Sequence, residues 1–201
     1  MGRANGFFIV VPEWRNFFEA SDKRRDVAIC TYRYTWNGTK KEHVKEERSA
    51  GSWYVGKWRR EWMPKESWNK NINYADVNYC PLRYADVVLM ASEAACELGD
   101  LSSARNYLEM VRARARGNNI GILPEVTTNN QNELREAIRH ERRVELGMEF
   151  DRFYDLVRWG IAKEVLHAAG KTGYQDRHAL LPIPQDEIDK SNGVLVQNPN
   201  Y

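Results

Sequence analysis

The most densely charged stretch, residues 139–158, carries groups that could do acid–base chemistry. Glu141, Glu145 and Glu149 recur at steps of four and Arg152 follows after three, so on a helix these four side chains share one face. Paired carboxylates can act as general acid and general base on a glycosidic bond. Arginines are interleaved with them, however, and a neutralised carboxylate lacks the raised pKa that a catalytic acid needs. We therefore predict a structural ion-pair network without a catalytic residue, and keep hydrolysis by Glu141 and Glu145 as an alternative.

The remaining residues that commonly ligate metals or act as nucleophiles show no functional spacing. The four histidines form no HExxH motif, and the three cysteines are an odd number without CxxC spacing. The sequence also lacks the GxGxxG, GxxxxGK[ST] and GxSxG motifs. We predict no metal site and no cofactor. The residues concerned are His43, His140, His167, His178, Cys30, Cys80 and Cys96.

Tryptophans are the second group that could bind a ligand. Four of the seven lie between residues 52 and 68, and Trp36 precedes Asn37 and Gly38. An exposed indole can stack on the apolar face of a sugar ring, although buried tryptophans are also common core residues. The candidate ligand-binding residues are those near the turn or in loop-like sequence, namely Trp36, Trp62 and Trp68. Trp53 and Trp58, in strand-like sequence, are assigned to the core.

Composition excludes several classes of protein. The 201 residues are 42% hydrophobic and 29% charged, which is typical of a folded globular chain. The formal charge of +2 is too small to favour nucleic acid, and glutamates among the aromatic residues cancel the local basic charge. No apolar run approaches the roughly 18 residues of a spanning helix, and residues 7–11 are too short for a signal-peptide core.

The N-terminal and C-terminal regions of the chain differ in the period of their hydrophobic pattern and in their charge. Residues 27–36 are β-branched and aromatic, and because side chains alternate along a strand, one face carries Ala28, Cys30, Tyr32, Tyr34 and Trp36. Asn37-Gly38 then predicts a β-hairpin with a two-residue type I′ turn. Residues 1–80 carry 15 basic and 10 acidic groups, whereas residues 81–201 carry 15 and 18. We therefore predict a boundary near Cys80, between an aromatic-rich hairpin and loop region (1–80) and a helical region (81–201).

Helical periodicity begins after Pro81. The pattern predicts one helix to about Leu98, a second from Asp100 to Gly117, and a third that opens near residues 127–130 and is broken near Gly147 or Gly160. The first two resemble the antiparallel pair of a tetratricopeptide repeat. The expected buried side of the third consists of Leu134, Ile138, Leu146, Phe150, Phe153, Val157 and Ile161. Prolines predict an irregular docked tail after Leu180.

Three ordered blocks of residues resemble the SusD/RagB family of outer-membrane nutrient-binding lipoproteins. The first runs from Pro81 to Met90 and continues through Glu93-Ala94 to Arg114, and the second runs from Arg139 to Trp159. The third joins Leu181-Pro182-Ile183-Pro184 to the ending at 197–201. Because family members are longer and begin with a lipoprotein signal and further helical repeats, the chain is expected to match their C-terminal part as one truncated domain.

The resemblance implies a mostly α fold of tetratricopeptide-like helical hairpins (SusD-like), with a β-hairpin and loop-rich N-terminal portion. It also implies a non-enzymatic protein at the outer face of the outer membrane, held by a lipid anchor absent from this chain. Such a protein captures an oligosaccharide or other nutrient for a SusC-type TonB-dependent transporter. A tetratricopeptide-like module that binds protein and no glycan remains the alternative.

Overall fold

The computed structural model describes residues 8–64 and 78–201. Trp68 and the asparagine-rich stretch at 69–73 lie outside the described residues. The chain divides into two compact units, Met1–Phe150 and Asp151–Tyr201. The boundary predicted at Cys80 therefore falls inside the first compact unit, and the 1–80 and 81–201 domain assignment stays a prediction. Within the described residues, no helix is both long and apolar enough to cross a membrane.

Four α-helices occur among the described residues of the first unit, and local sequence explains their ends. They are α1 (Arg24–Ala28), α2 (Tyr84–Glu97), α3 (Leu101–Arg116) and α4 (Gln131–Glu145). Gly99 ends α2 with φ +81°, a conformation that favours glycine. The Asp100 side chain accepts a hydrogen bond from Ser103 N at 3.0 Å, and the Asn130 side chain accepts from Asn132 N at 2.9 Å. The three predicted helix starts are confirmed.

The helical core lies between α2, α3 and α4. Because α2 and α3 are joined by only three residues, α3 folds back along α2, and both pack on α4. Ser92 Oγ donates to the Ala104 carbonyl at 2.7 Å, which places the two helix backbones close together. The buried apolar side chains of this core are Val88, Leu89, Cys96, Ala104, Leu108, Val111, Leu134, Ile138 and Leu146.

The predicted β-hairpin is present, but its turn differs from the prediction. β2 (Tyr32–Asn37) pairs antiparallel with β3 (Glu42–Glu47), and Asn37 lies opposite Glu42. Four residues therefore form the loop, not two. The Asn37 side chain accepts from the backbone N–H groups of Thr39 and Lys40, both at 3.0 Å, and Lys41 adopts φ +53°. These local bonds favour the longer loop over a type I′ turn.

A second core joins the start of the chain to α4. The short strands β1 (Ile29–Cys30) and β4 (Tyr54–Val55) pair antiparallel, and Val10, Phe18, Ile29, Trp53 and Val144 are buried together. Gly147 lies just after α4, and a side chain at this position would place its Cβ atom 2.0 Å from the Trp14 ring. This close approach requires glycine, and the predicted break near Gly147 is confirmed.

The prediction that Phe150 and Phe153 face the core is wrong. The prediction assumed that one helix continues from Leu134 and Ile138 to the two phenylalanines, but α4 ends at Glu145. Phe150 is 54% exposed and Phe153 is 39% exposed. The chain reverses through Met148 (φ +69°) and Phe150 (φ +76°), so neither phenylalanine follows the α4 stripe.

The second unit contains three short helices, α5 (Arg152–Arg158), α6 (Ala162–Ala168) and α7 (Gln185–Lys190). The expectation of an irregular tail is wrong at α7, because Pro184 lies just before the helix, where its missing N–H costs nothing. The Gln197 side chain exchanges hydrogen bonds with the Ile183 backbone at 2.8 and 2.9 Å, and Tyr201 Oη donates to the Leu180 carbonyl at 2.9 Å. The tail is thereby fixed to its own unit.

Candidate functional site

One face of the β2–β3 hairpin is aromatic. Side chains alternate along a strand, so Tyr32, Tyr34 and Trp36 point to the same side, and the register places Lys45 opposite Tyr34 and His43 opposite Trp36. The Trp36 and His43 rings meet edge to face at 5.3 Å, and the two tyrosine rings meet at 5.8 Å. We call these five residues, with Arg59, Glu61 and Trp62 described next, the aromatic face.

A short 3-10 helix, Arg60–Trp62, completes the aromatic face. Tyr34 Oη donates to Glu61 Oε2 at 2.9 Å, Tyr32 Oη donates to the other carboxylate oxygen, and Arg59 Nη1 donates to Tyr32 Oη at 3.0 Å. Burial and the hydrogen bond to Glu61 raise the pKa of Tyr32 to about 12. Both hydroxyls therefore stay protonated at neutral pH, and Glu61 fixes the tyrosine rings.

The structure places Trp36 and Trp62 at exposed positions of this face. Trp36 is 57% exposed and Trp62 is 51% exposed. The Arg59 guanidinium lies 4.8 Å from the Trp62 ring centre and 5.1 Å from that of Tyr32. Trp62 directly follows Glu61, which accepts from Tyr34, and Tyr34 lies two residues before Trp36 on β2. Trp68 lies outside the described residues. Exposed ring faces bordered by hydrogen-bonding groups can bind a ligand with apolar faces and hydroxyl edges.

The two tryptophans assigned to the core differ from each other. Trp53 is buried, and its Nε1 donates to the Arg48 carbonyl at 3.1 Å. Its core assignment is confirmed. Trp58 is half-buried and lines a cavity, so it is only partly enclosed. Tertiary packing thus separates tryptophans that are neighbours in sequence.

The carboxylates of α4 lie in a buried network of charges. Glu141 accepts hydrogen bonds from Arg24 and, at 3.0 Å, from Arg112, and its side chain is fully buried. Arg24 also donates to Asp22 at 2.8 Å, and Arg112 donates to Glu19 at 2.7 Å. Buried charges need such partners because an unpaired charge is costly in a low-dielectric interior.

Glu145 accepts hydrogen bonds from three different arginines. Oε1 accepts from Arg83 and Arg114, each at 2.6 Å, and Oε2 accepts from Arg24 at 3.0 Å. Burial alone would raise the pKa of Glu145, but the bonds and charges of Arg83 and Arg114 outweigh it and lower the pKa to about 2. This shift is opposite to the one a general acid needs.

Sequence reasoning found the aromatic side of β2 but missed the residues that hold it. The period-two pattern grouped Tyr32, Tyr34 and Trp36, whereas Glu61 entered only as a charge that cancels neighbouring lysines and arginines. Its pairing with two tyrosines 27 and 29 residues away has no local sequence signal. Across residues 8–64 and 78–201, no group of three or more histidine, cysteine or acidic side chains is placed to hold a metal ion.

Comparison with solved structures shows what fold these elements form. A SusD homologue from Bacteroides thetaiotaomicron superposes with a TM-score of 0.77 and 27% identity, over 94% of this chain and 42% of that one. Surface glycan-binding protein A from the same species, solved in complex with laminarihexaose, superposes with a TM-score of 0.65 and 24% identity, over 93% of this chain and 40% of that one. The predicted mostly α, SusD-like fold is confirmed.

Sequence comparison agrees with the structural match. SusD-like protein P2 of Formosa agariphila is 30% identical over 212 aligned residues, which cover 98% of this chain and 41% of the relative. The chain thus spans about two fifths of the length of these relatives. The sequence profile of the SusD family matches residues 8–201, nearly the whole chain. The chain therefore belongs to the SusD family.

Proposed function

We propose that this chain is part of a cell-surface glycan-binding protein, which captures an oligosaccharide without cleaving it and delivers it to a SusC-type TonB-dependent transporter in the outer membrane. The observation that carries the proposal is the aromatic face, where Trp36 and Trp62 are exposed and Glu61 and Arg59 fix the rings beside them. Membership of the SusD family supports the binding class, and the transporter partner rests on the family resemblance.

The chemistry of the aromatic face suits a sugar. Exposed indole rings offer broad apolar surfaces for the C–H faces of a pyranose, while His43 and Lys45 on the neighbouring strand carry groups that can hydrogen-bond to sugar hydroxyls. Lys45 Nζ lies 3.7 Å from the Tyr32 ring centre, so its ammonium group is held over the face. These contacts require no ionised catalyst, consistent with binding without turnover.

The burial of the α4 carboxylates supports a non-catalytic role. Glu141 and Glu145 are enclosed by guanidinium groups, and Glu145 has a lowered pKa. Glu141 is fully buried, and Glu145 is ionised at neutral pH and so carries no proton to give to a glycosidic oxygen. If the alternative of hydrolysis held, reducing sugars would be released from a glycan and their release would stop in Glu141→Gln.

Affinity electrophoresis of the 201-residue chain in polysaccharide gels, followed by titration with the matching oligosaccharides, tests the proposal. Laminarihexaose is one probe of a wider neutral panel. We expect Trp36→Ala and Trp62→Ala each to weaken binding about tenfold, the size of a lost stacking contact. Trp68→Ala joins the set, because Trp68 was a sequence candidate. Tyr107→Ala, an exposed aromatic residue on α3, is the matched control.

Thermal melting of each variant separates loss of binding from loss of folding. Weakened retention with unchanged melting supports the aromatic face as the site. Equal losses of retention and melting temperature would make these tryptophans structural. Co-purification with a SusC-type transporter, in the absence of retention by any glycan, would favour the alternative of a protein-binding module.

A further inference from the structure

A cavity of about 300 Å³ opens in the first unit, apart from the aromatic face. That volume equals roughly ten water molecules at about 30 Å³ each, which is enough for one substituted sugar ring. Its wall combines apolar and charged side chains from α1, α3, the end of α4 and three loops. The lining residues are Arg24, Val27, Ala28, Lys57, Trp58, Cys80, Arg83, Arg114, Val144, Glu145 and Glu149.

Basic side chains outnumber acidic ones among the lining residues, and Arg24 is also paired with Asp22 and Glu141, which are not lining residues. Four of the lining side chains are basic and two are acidic. Glu145 already serves three guanidinium groups through its two oxygens, and Glu149 accepts from Arg83 Nε at 2.6 Å and also from Lys57. Each of the two carboxylates is thus shared by more than one cation.

Lys57 is a largely buried cation in the cavity wall. Its Nζ donates to the Glu145 carbonyl at 2.7 Å and to Glu149, and its side chain is 16% exposed. Burial lowers the pKa of Lys57, and the neighbouring Arg83 charge acts in the same direction against Glu149. A negative ligand group in the cavity would oppose both effects.

Arg114 provides an accessible donor at the cavity. Its side chain is 57% exposed, and Nη2 donates to Glu145 Oε1 at 2.6 Å. A guanidinium has five N–H groups in a planar fork, which suits bidentate bonding to a carboxylate. Val27, Val144 and Trp58 give the same cavity apolar walls for a carbon ring.

We propose that the cavity binds an anionic sugar residue, with a carboxylate as in a hexuronate, whose acidic group bonds to Arg114 and whose ring contacts Trp58. The inference rests on the proposed glycan binding and deepens it, because it adds a subsite for acidic units of the glycan. A sulfate ester offers related chemistry, and the arms of the test separate it from a carboxylate.

Calorimetric titration of the full chain with glucuronate, glucose, glucose 6-sulfate and sodium sulfate tests the inference. We expect glucuronate to bind at least tenfold more tightly than glucose and sulfate, and its affinity to fall as salt rises. Arg114→Gln should weaken glucuronate binding about tenfold. Arg33→Gln is the matched control, because Arg33 is 58% exposed and lies on the other side of the hairpin from the aromatic face.

A second readout uses Cys80, an exposed free thiol in the cavity wall. Bound glucuronate should slow alkylation of the Cys80 peptide at least threefold, with Cys30 alkylation as the internal control. Equal affinities for glucuronate and glucose, or unchanged binding in Arg114→Gln, would overturn the inference. Tighter binding of glucose 6-sulfate or of sulfate alone would overturn the choice of a carboxylate.

The outcome is separable from that of the proposed function. Retention of neutral glycans that depends on Trp36, combined with no glucuronate binding, overturns the cavity inference alone. Glucuronate binding that depends on Arg114, without retention of any neutral glycan, supports the cavity and counts against the aromatic face.

Discussion

The charge network around α4 and the aromatic face of the hairpin use carboxylates in opposite ways. Glu145 is buried and bonded to three arginines, which hold helix and loop segments together, and two of them, Arg83 and Arg114, lower its pKa to about 2. Glu61 accepts from two tyrosine hydroxyls and so orients rings beside the exposed Trp62. The comparison teaches that the surroundings of a carboxylate decide whether it stabilises the fold or arranges a binding surface.

The largest expected effect comes from breaking the charge network. Glu141→Ala leaves Arg24 and Arg112 without one of their carboxylate partners inside the protein, and should cost about 3–5 kcal/mol of unfolding free energy. Urea denaturation measures this cost. Glu136→Ala, which removes an exposed partner of Arg139 on the same helix, should cost less than about 1 kcal/mol. Similar costs for the two variants would contradict the assignment of Glu141 to a buried network.

Two tryptophans test the distinction between core and face. Trp53→Ala should cost about 3–5 kcal/mol, because the indole is buried against Val10 and Ile29. Trp36→Ala, at an exposed position, should change stability by no more than about 0.5 kcal/mol. Chemical denaturation of both variants compares them directly. A large loss in Trp36→Ala would show that this ring is structural.

Acid should weaken the network. The pKa of Glu145 falls from 4.5 to about 2 on folding, so its contribution to stability is fully present above pH 4.5 and is lost as the pH falls towards 2. Urea midpoints between pH 6 and pH 2.5 should therefore decrease. Glu145→Gln should flatten this pH dependence, whatever its effect on stability at neutral pH. Parallel pH curves for the two proteins would assign the acid sensitivity to other groups.

Alkali should act on the aromatic face. The pKa of Tyr32 is raised from 10.0 to about 12, so its contribution is present below pH 10 and is lost as the pH rises towards 12. Ultraviolet titration of tyrosinate should show a late-ionising group that is missing in Tyr32→Phe. We expect a smaller stability effect than that of Glu145, because Tyr32 is only half-buried. An unchanged titration in Tyr32→Phe would refute the assignment.

A small effect is expected at Phe150. Its ring is 54% exposed, and its backbone adopts φ +76°, which is strained for a bulky residue. Phe150→Ala should cost no more than about 1 kcal/mol, whereas Leu134→Ala in the helical core should cost about 2–5 kcal/mol. Thermal melting of the pair measures the difference. If Phe150→Ala lost as much stability as Leu134→Ala, Phe150 would be buried, as the helical period predicts.

Local rules predicted the parts of the fold that depend on neighbouring residues. Asp100 and Asn130 cap helices through bonds that span two or three residues, and Gly99 ends α2 through its own backbone freedom. The ordered blocks after Pro81 were sufficient for the family resemblance. The type I′ turn failed even at short range, because Asn37 and Lys41 stabilise a longer loop.

The sequence by itself determined the starts of α2, α3 and α4, the pairing of β2 with β3 and the family, because caps, side-chain periods and ordered motifs are local properties of the chain. Only the tertiary structure decided which charges and rings are buried. Arg24 reaches Glu141 across 117 positions, and Trp53 is enclosed while Trp62 is exposed. Burial depends on contacts between segments that are distant in sequence. Two residues of the same type can therefore lie in the core and on the surface although the sequence around them looks alike.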